Sequence, residues 1–160
     1  MNTLKNNNKN GKHLLAEFYD CQCAIELLCH SEAVIDKLIE AVQAVGLTLV
    51  GQAVHDFSDT SFSDASCANA GFTDTKLTNT SSNKINADKQ SSGYTISLLL
   101  AESHICIHTW AELKSVTLDV YVCNFLQDNS DKANNLLKMC KNLFLPAECD
   151  IKEVWREHAR

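Results

Sequence analysis

One long polar stretch divides the chain into two apolar blocks and thereby limits where a core can form. Of the 36 residues from 58 to 93, 21 are Ser, Thr, Asn or Asp, and no helical or strand period runs through them. Such a segment buries too little apolar surface to offset the conformational entropy lost on folding. We therefore predict a largely disordered surface loop over 58–93, inserted into a domain built from the residues on either side.

The overall composition limits the kinds of partner that the protein can have. Its 160 residues suffice for one domain with a core, and 45% of them are hydrophobic. The formal charge is −6, so there is no basic excess with which to neutralise a nucleic acid. No apolar run approaches the roughly 20 residues of a membrane span, and the start of the chain lacks the apolar segment of a secretory signal. These features predict a cytoplasmic protein that binds neither nucleic acid nor membrane.

The cysteines and the first residues agree with that prediction. The eight cysteines include no CxxC pair, and in a chain without a secretory signal we expect them to be reduced and mostly buried. Residues 1–11 are rich in Asn and Lys and are predicted to form a disordered leader. The folded part is therefore expected to be a single domain over 12–160.

Hydrophobic periodicity predicts six strands and two helices. The clearest strand spans 116–123, where valine and leucine alternate with more polar residues. Helices are predicted from a cap at Ser31 to Gly46 and from a cap at Ser130 or Asp131 to Phe144. The other strands are predicted over 13–19, 47–57, 94–100, 105–110 and 151–155. This order favours an α/β (α+β) two-layer sandwich, with a mainly antiparallel sheet and helices on one face.

The segment 98–112, LLLAESHICIHTWAE, places reactive side chains on an otherwise apolar strand. Glu102, Ser103 and His104 are adjacent there, and a Ser–His pair is one arrangement that supports nucleophilic catalysis. A serine hydrolase is disfavoured, because no GxSxG turn surrounds Ser103. Buried structural histidines are a second interpretation.

A metal site is a third interpretation of the same segment. His104, Cys106 and His108 alternate, so a strand would place all three on one face. Zinc sites usually draw four ligands from separated segments, so others would have to complete this one. The candidates for that role are His13, Cys21 and Cys23. From the residues alone, these interpretations stay open.

The sequence AESHICIHTWAE at 101–112 closely resembles AESHxxxHTWPE, the signature of the bacterial and archaeal S-adenosylmethionine decarboxylase proenzymes. The resemblance extends to KHLLAEFYDC at 12–21, HDF at 55–57 and DVYVC at 119–123, in the same order. It departs at Ala111, where the family motif has proline, and at 58–93, where the family has a short loop.

The resemblance implies that the proenzyme cleaves itself between Glu102 and Ser103. The Ser103 hydroxyl attacks the Glu102 carbonyl carbon, and elimination and hydrolysis then leave a pyruvoyl cofactor on the new N-terminus. His108 matches the histidine that assists processing as acid and base. Thr95 matches a second hydroxyl residue used in processing.

The resemblance also implies how the processed enzyme acts. The pyruvoyl carbonyl forms a Schiff base with the amine of S-adenosylmethionine and accepts the electrons released with CO₂. Cys123 then returns a proton to the α-carbon, and Glu112 contacts the ribose. Phe57 matches an aromatic residue that stacks on the adenine, and Trp110 lies beside it in the motif. The product would be the aminopropyl donor for spermidine and other polyamines.

Some properties stay open or rest on the resemblance alone. Relatives with the same chemistry act on arginine or ornithine, and a non-catalytic metal or binding module on the same fold is a rival from another class. Members of this short type pair as homodimers with active sites near the interface, so we expect a homodimer. Ser103 and His108 have opposite parity, so a straight strand would direct them to opposite faces. They must meet through a bend in the strand or through another element.

Overall fold

A computed structural model describes residues 11–57, 92–101 and 103–157. Six strands form a single sheet, in the order β2-β3-β4-β5-β1-β6, in which all neighbours are antiparallel. The strands are β1 (Gly11–Cys21), β2 (Leu49–Asp56), β3 (Tyr94–Leu100), β4 (Ser103–Trp110), β5 (Ser115–Cys123) and β6 (Pro146–Arg156). The helices are α1 (Glu26–Cys29), α2 (Ile35–Ala44) and α3 (Ser130–Phe144), and 3-10 turns span Ser31–Ala33 and Ala111–Leu113. The predicted two-layer sandwich is confirmed.

The helices lie on one face of the sheet, which we call the covered face. Phe18 of β1 packs against Phe144 of α3, with ring centroids 6.5 Å apart. Tyr94 of β3 donates a hydrogen bond from its hydroxyl to the carbonyl of Leu27 in α1 at 2.6 Å. The alternate residues of β5 from Val116 to Val122 are fully buried on this side, as their period predicts.

The opposite face, which we call the open face, carries the more polar side chains of the same strands. On the two central strands these side chains are all partly exposed. They are His104, Cys106, His108 and Trp110 on β4, and Thr117, Asp119, Tyr121 and Cys123 on β5. The prediction that His104, Cys106 and His108 share one face of the sheet is confirmed. Among the described residues, no helix is long and apolar enough to cross a membrane.

The first helix region differs from its prediction. Ser31 does not cap α2 but begins the 3-10 turn, where its backbone N–H and its hydroxyl donate to the two Asp56 carboxylate oxygens at 3.0 and 2.8 Å. α2 starts instead at Ile35, four residues later, and stops before Gly46, whose φ is +75°. The predicted stop is therefore correct and the predicted cap is wrong, because Ser31 finds its partner on a distant strand.

The limits of β1, of β6 and of the polar loop also differ from their predictions. β1 begins at Gly11, inside the predicted leader, because the residue pairs with both β5 and β6. β6 begins at Pro146 and not at 151; it is an edge strand, and proline is tolerated as the first residue of such a strand. At the end of the predicted loop, Ser92 and Gly93 accept backbone hydrogen bonds. The remaining predicted leader, 1–10, and loop, 58–91, lie outside the described residues, as does Glu102.

Candidate active site

Ser103 is the first residue of β4, opposite Leu100 of β3 and Val122 of β5. Its hydroxyl oxygen is buried and has no hydrogen-bond partner among the described residues. Leaving a buried polar group unpaired costs about 1–3 kcal/mol, so such a group is seldom retained for structure alone. An uncommitted hydroxyl at this point fits the precursor of a pyruvoyl group, which must be free to attack the preceding peptide bond.

A pocket of about 570 Å³ opens at the same end of the sheet. Its lining is mostly apolar and consists of Ala101, Cys123, Phe125, Leu126, Gln127 and Asn129. Ala101 is two residues before Ser103, so the pocket borders the predicted cleavage point. Its size is in the range of small-molecule sites. Ser103, Cys123 and the pocket together form what we call the serine end of the sheet.

Asn129 fixes the end of the strand that carries Cys123. It is 1% exposed, and its amide donates to the Cys123 carbonyl at 2.8 Å. Its own backbone N–H donates to the Asn124 side chain at 2.9 Å. The sequence analysis did not identify Asn129 or the pocket residues Phe125 and Leu126. The only local signal is a run of turn-forming residues, NFLQDNS, directly after a strand.

The second predicted group gathers at the other end of β4. Thr95 lies directly opposite His108 in the sheet, and its hydroxyl oxygen is 2.7 Å from the His108 Nδ1. The His108 ring stacks on Trp110, with centroids 6.1 Å apart. The structure therefore brings together Thr95, His108 and Trp110, which the sequence analysis selected separately. A hydroxyl held against an imidazole is a pair through which a proton can be transferred.

Phe57 and Glu112 belong to the same end. Phe57 directly follows β2, and its backbone N–H donates to Gly93 at 2.8 Å. Glu112 is exposed in the turn that follows Trp110. We call Thr95, His108, Trp110, Phe57 and Glu112 the histidine end of the sheet.

The two ends are well separated within the chain. β4 is continuous from Ser103 to Trp110, with every residue from 103 to 108 paired to both neighbours. Five residues of extended strand separate Ser103 from His108 by about 17 Å, and the two side chains leave opposite faces. The strand has no bend that would bring them together, so that possibility is wrong. Only another element can unite the predicted nucleophile with the predicted acid and base.

The rival metal site is not assembled. Among residues 11–57, 92–101 and 103–157, no group of three His, Cys, Asp or Glu side chains could hold a metal ion. Cys106 lies 3.3 Å from the Ser97 hydroxyl. Burial raises the pKa of Cys21 to about 11 and also raises the pKa of Cys23, which keeps both thiols protonated at neutral pH.

Comparison with known proteins gives the family. The family model for S-adenosylmethionine decarboxylase matches residues 61–157. The S-adenosylmethionine decarboxylase proenzyme of Methanococcus maripaludis (strain C5) is 26% identical over 146 residues, 91% of this chain and 88% of its own. That of Methanococcus vannielii is 29% identical over 150 residues, 90% of this chain and 95% of its own.

The fold has a counterpart among solved structures. The crystal structure of the adenosylmethionine decarboxylase from Aquifex aeolicus VF5 matches with a TM-score of 0.65 at 23% identity, and the match covers 94% of this chain and 93% of that one. The family match, which spans more than half of the chain, agrees with the resemblance of residues 101–112. The chain belongs to the S-adenosylmethionine decarboxylase family.

Proposed function

We propose that the protein is a self-processing, pyruvoyl-dependent decarboxylase that converts S-adenosylmethionine to decarboxylated S-adenosylmethionine for polyamine synthesis. The observation that carries the proposal is the buried hydroxyl of Ser103, which has no partner among the described residues and lies two residues after Ala101, a residue that lines a pocket together with Cys123. The nucleophile of processing and the proton donor of turnover would thus lie at the same end of the sheet. Family membership supplies the reaction class, and this geometry supports the assignment of residues.

Processing begins at the Ser103 hydroxyl. Its oxygen attacks the carbonyl carbon of Glu102 and replaces the peptide bond with an ester, while its proton passes to a base. Elimination then releases the carboxylate of chain 1–102, and hydrolysis with loss of ammonia leaves chain 103–160 with a pyruvoyl end. His108 is the base, and the hydroxyl of Thr95 at 2.7 Å orients its ring.

A second copy of the chain would remove the separation of the two ends along the strand. We infer a homodimer in which the open faces of two sheets pack in opposite directions, so that each serine end meets the partner's histidine end. The open face supports this arrangement, because its central strands present partly exposed side chains opposite the helix-covered core. A two-fold axis would create two equivalent sites. Each site would then contain one pyruvoyl group and one histidine end from different subunits.

Turnover uses residues of both ends. When present, the pyruvoyl carbonyl binds the substrate amine and withdraws the electrons released with CO₂. Cys123, whose carbonyl Asn129 holds, delivers the proton to the substrate α-carbon. Phe125 and Leu126, which are 72% and 90% exposed in the single subunit, would pack on the substrate and exclude water. Glu112 accepts hydrogen bonds from the ribose diol, and Phe57 and Trp110 stack on the adenine.

Intact-mass spectrometry of the purified protein tests the proposal. We expect two chains, 1–102 and a pyruvoyl-capped 103–160, and a single uncleaved chain for Ser103→Ala. CO₂ release from S-adenosylmethionine, arginine and ornithine then identifies the substrate. A folded wild-type protein that stays in one piece would refute pyruvoyl chemistry. A cleaved protein that acts on arginine or ornithine would retain the mechanism and change the substrate.

A further inference from the structure

The open face carries opposite charges at its two ends along β1 and β6. Strand pairing aligns the side chains of this face in rows that cross the sheet. At the serine end, Gly11 of β1 is paired with Arg156 of β6. At the histidine end, Glu17 is paired with Asp150, and Glu148 lies one row further on. The open face thus has an arginine at one end of its outer strands and three carboxylates at the other.

These four charges are not compensated within the chain. Among residues 11–57, 92–101 and 103–157, ion pairs within 4.0 Å join only Lys12 to Glu153 and Lys114 to Asp20. Arg156 and the three carboxylates are all exposed and take part in neither pair. They are therefore available to charges that another molecule brings to the open face.

The arginine is already held in place. Its guanidinium donates a hydrogen bond to the Nδ1 of His13 at 3.1 Å. It also lies over the ring of Tyr121, 5.0 Å from the ring centre, which is a favourable position for a cation. A side chain that is ordered before binding loses less conformational entropy when a partner arrives. Arg156 is thus a preorganised cation at the edge of the open face.

The row of Leu15 lies midway between the two ends of the open face. Leu15 is paired with Asp119 on one side and with Lys152 on the other. The formal charges of these two neighbours offset each other, so the middle of this face favours neither sign. The row of Arg156 and the row of Glu148 lie at equal distances from it, four residues away in each direction along β6.

A reversed second copy would bring the opposite charges together. In the packing proposed above, a two-fold axis along the middle row would lay β6 over the β6 of the partner, running the other way. Arg156 would then face the partner's Glu148, with the partner's Asp150 one row away. If the strands of the two copies ran in the same direction, each row would instead lie at the level of its own counterpart. That arrangement would leave the arginines away from the carboxylates.

We propose that ion pairs between Arg156 of each chain and Glu148 and Asp150 of its partner select the reversed orientation of the homodimer. The inference rests on the proposed function, in which each serine end needs the partner's histidine end. It adds that charges on the edge strand β6, outside the reacting groups, determine which ends meet. Complementary charges at an interface fix its register and disfavour wrong arrangements, because like charges that face each other are costly.

Two charge-reversed chains test the inference, Arg156→Glu and the double variant Glu148→Lys/Asp150→Lys. Each chain alone would place like charges opposite each other in the reversed dimer. We expect the dissociation constant of the dimer, measured by sedimentation equilibrium, to rise about 100-fold in each. Self-cleavage, measured by intact-mass spectrometry, should slow with it. When the two chains are produced together, opposite charges face each other again, so dimers and cleavage should both return.

Reversals of the same charges on the helix layer are the matched controls. Lys138→Glu on α3 and Glu40→Lys on α2 alter exposed residues on the other side of the sheet. Both should dimerise and cleave as the wild type does. If a reversed chain does not fold, the neutral variant Arg156→Gln takes its place. We expect it to dimerise about tenfold more weakly, with a dissociation constant that depends less on salt. An unchanged affinity and an unchanged salt dependence would overturn the inference.

The other outcomes separate this inference from the function on which it rests. Reversed chains that dimerise as tightly as the wild type would overturn the charge pairing and leave the homodimer in place. Weakened chains that do not recover when produced together would overturn it as well, because the paired residues would be wrong. A wild-type protein that cleaves itself as a monomer would refute both the homodimer and this inference, and would leave the pyruvoyl chemistry standing.

Discussion

The two ends of β4 carry different kinds of polar group. At the serine end, the hydroxyl of Ser103 is buried and unpaired among the described residues, beside a cavity. At the histidine end, Thr95 and His108 already bond to each other and Trp110 stacks on the imidazole. An unpaired group and a hydrogen-bonded one are thus held about 17 Å apart along one continuous strand. The difference indicates that neither end is a complete active site by itself.

The proposed dimer makes this comparison testable through complementation, for which we expect the largest effect. His108→Ala alone should stay uncleaved. When it is produced together with Ser103→Ala, mixed dimers should place the intact His108 of one chain at the intact Ser103 of the other. Cleavage of the His108→Ala chain should then return in those dimers, as intact-mass spectrometry would record. If that chain stays whole in mixed dimers, the histidine acts within its own subunit.

Substitution of Cys123 tests the catalytic role of the serine end separately from processing. Cys123→Ala should be cleaved, and its decarboxylation should fall by about 10²–10⁴-fold, the usual contribution of a positioned acid. Cys149→Ala is a suitable control, because Cys149 is an exposed cysteine on the edge strand β6. CO₂ release per pyruvoyl-capped chain is the measurement. Equal rates for the two variants would exclude Cys123 as the proton donor.

Asn129 tests whether the serine end depends on its scaffold. Asn129→Ala removes the donor to the Cys123 carbonyl from a buried position, and we expect a loss of about 1–3 kcal/mol in the free energy of unfolding. Decarboxylation should fall while cleavage continues. Urea unfolding measures the first effect, with Asn142→Ala on the exposed side of α3 as the control. A variant as stable as that control would show that the hydrogen bond contributes little.

The smallest effect is expected at the histidine end, where Ala111 replaces the motif proline. Its backbone N–H donates to the Ser92 carbonyl at 3.0 Å, a bond that proline cannot make. Ala111→Pro loses about 1 kcal/mol with that bond, and the restriction of the unfolded chain offsets only part of this loss. We therefore expect the free energy of unfolding to change by less than about 1 kcal/mol. A change of several kcal/mol would mean that the turn cannot accept proline.

Much of the fold followed from local pattern, and the exceptions have physical causes. β3 has the predicted bounds, since apolar residues fill it between turn-forming residues. α1 was not predicted, because a four-residue helix is too short to establish a period. The Ser31 cap was wrong because its partner, Asp56, is 25 residues away and becomes a neighbour only through the sheet.

The sequence predicted most residues of the candidate site but not how the fold arranges them. Strand parity alone placed Ser103 and His108 on opposite faces, and the pairing of β4 agrees. The identities of Thr95, Glu112 and Phe57 came from the family resemblance, and no spacing rule would have selected them. The contact of Asn129 with the Cys123 carbonyl depends on how the loop closes, which the run of turn-forming residues after β5 does not specify.

The strand order has a consequence for the protein after cleavage. Chain 1–102 would supply β1, β2 and β3, and chain 103–160 would supply β4, β5 and β6. In the order β2-β3-β4-β5-β1-β6, three of the five strand junctions then join one chain to the other. The fragments could not part without tearing the sheet in several places. Once denatured, however, they would have to find each other again by diffusion, so recovery would become dependent on concentration, unlike the folding of the uncut precursor.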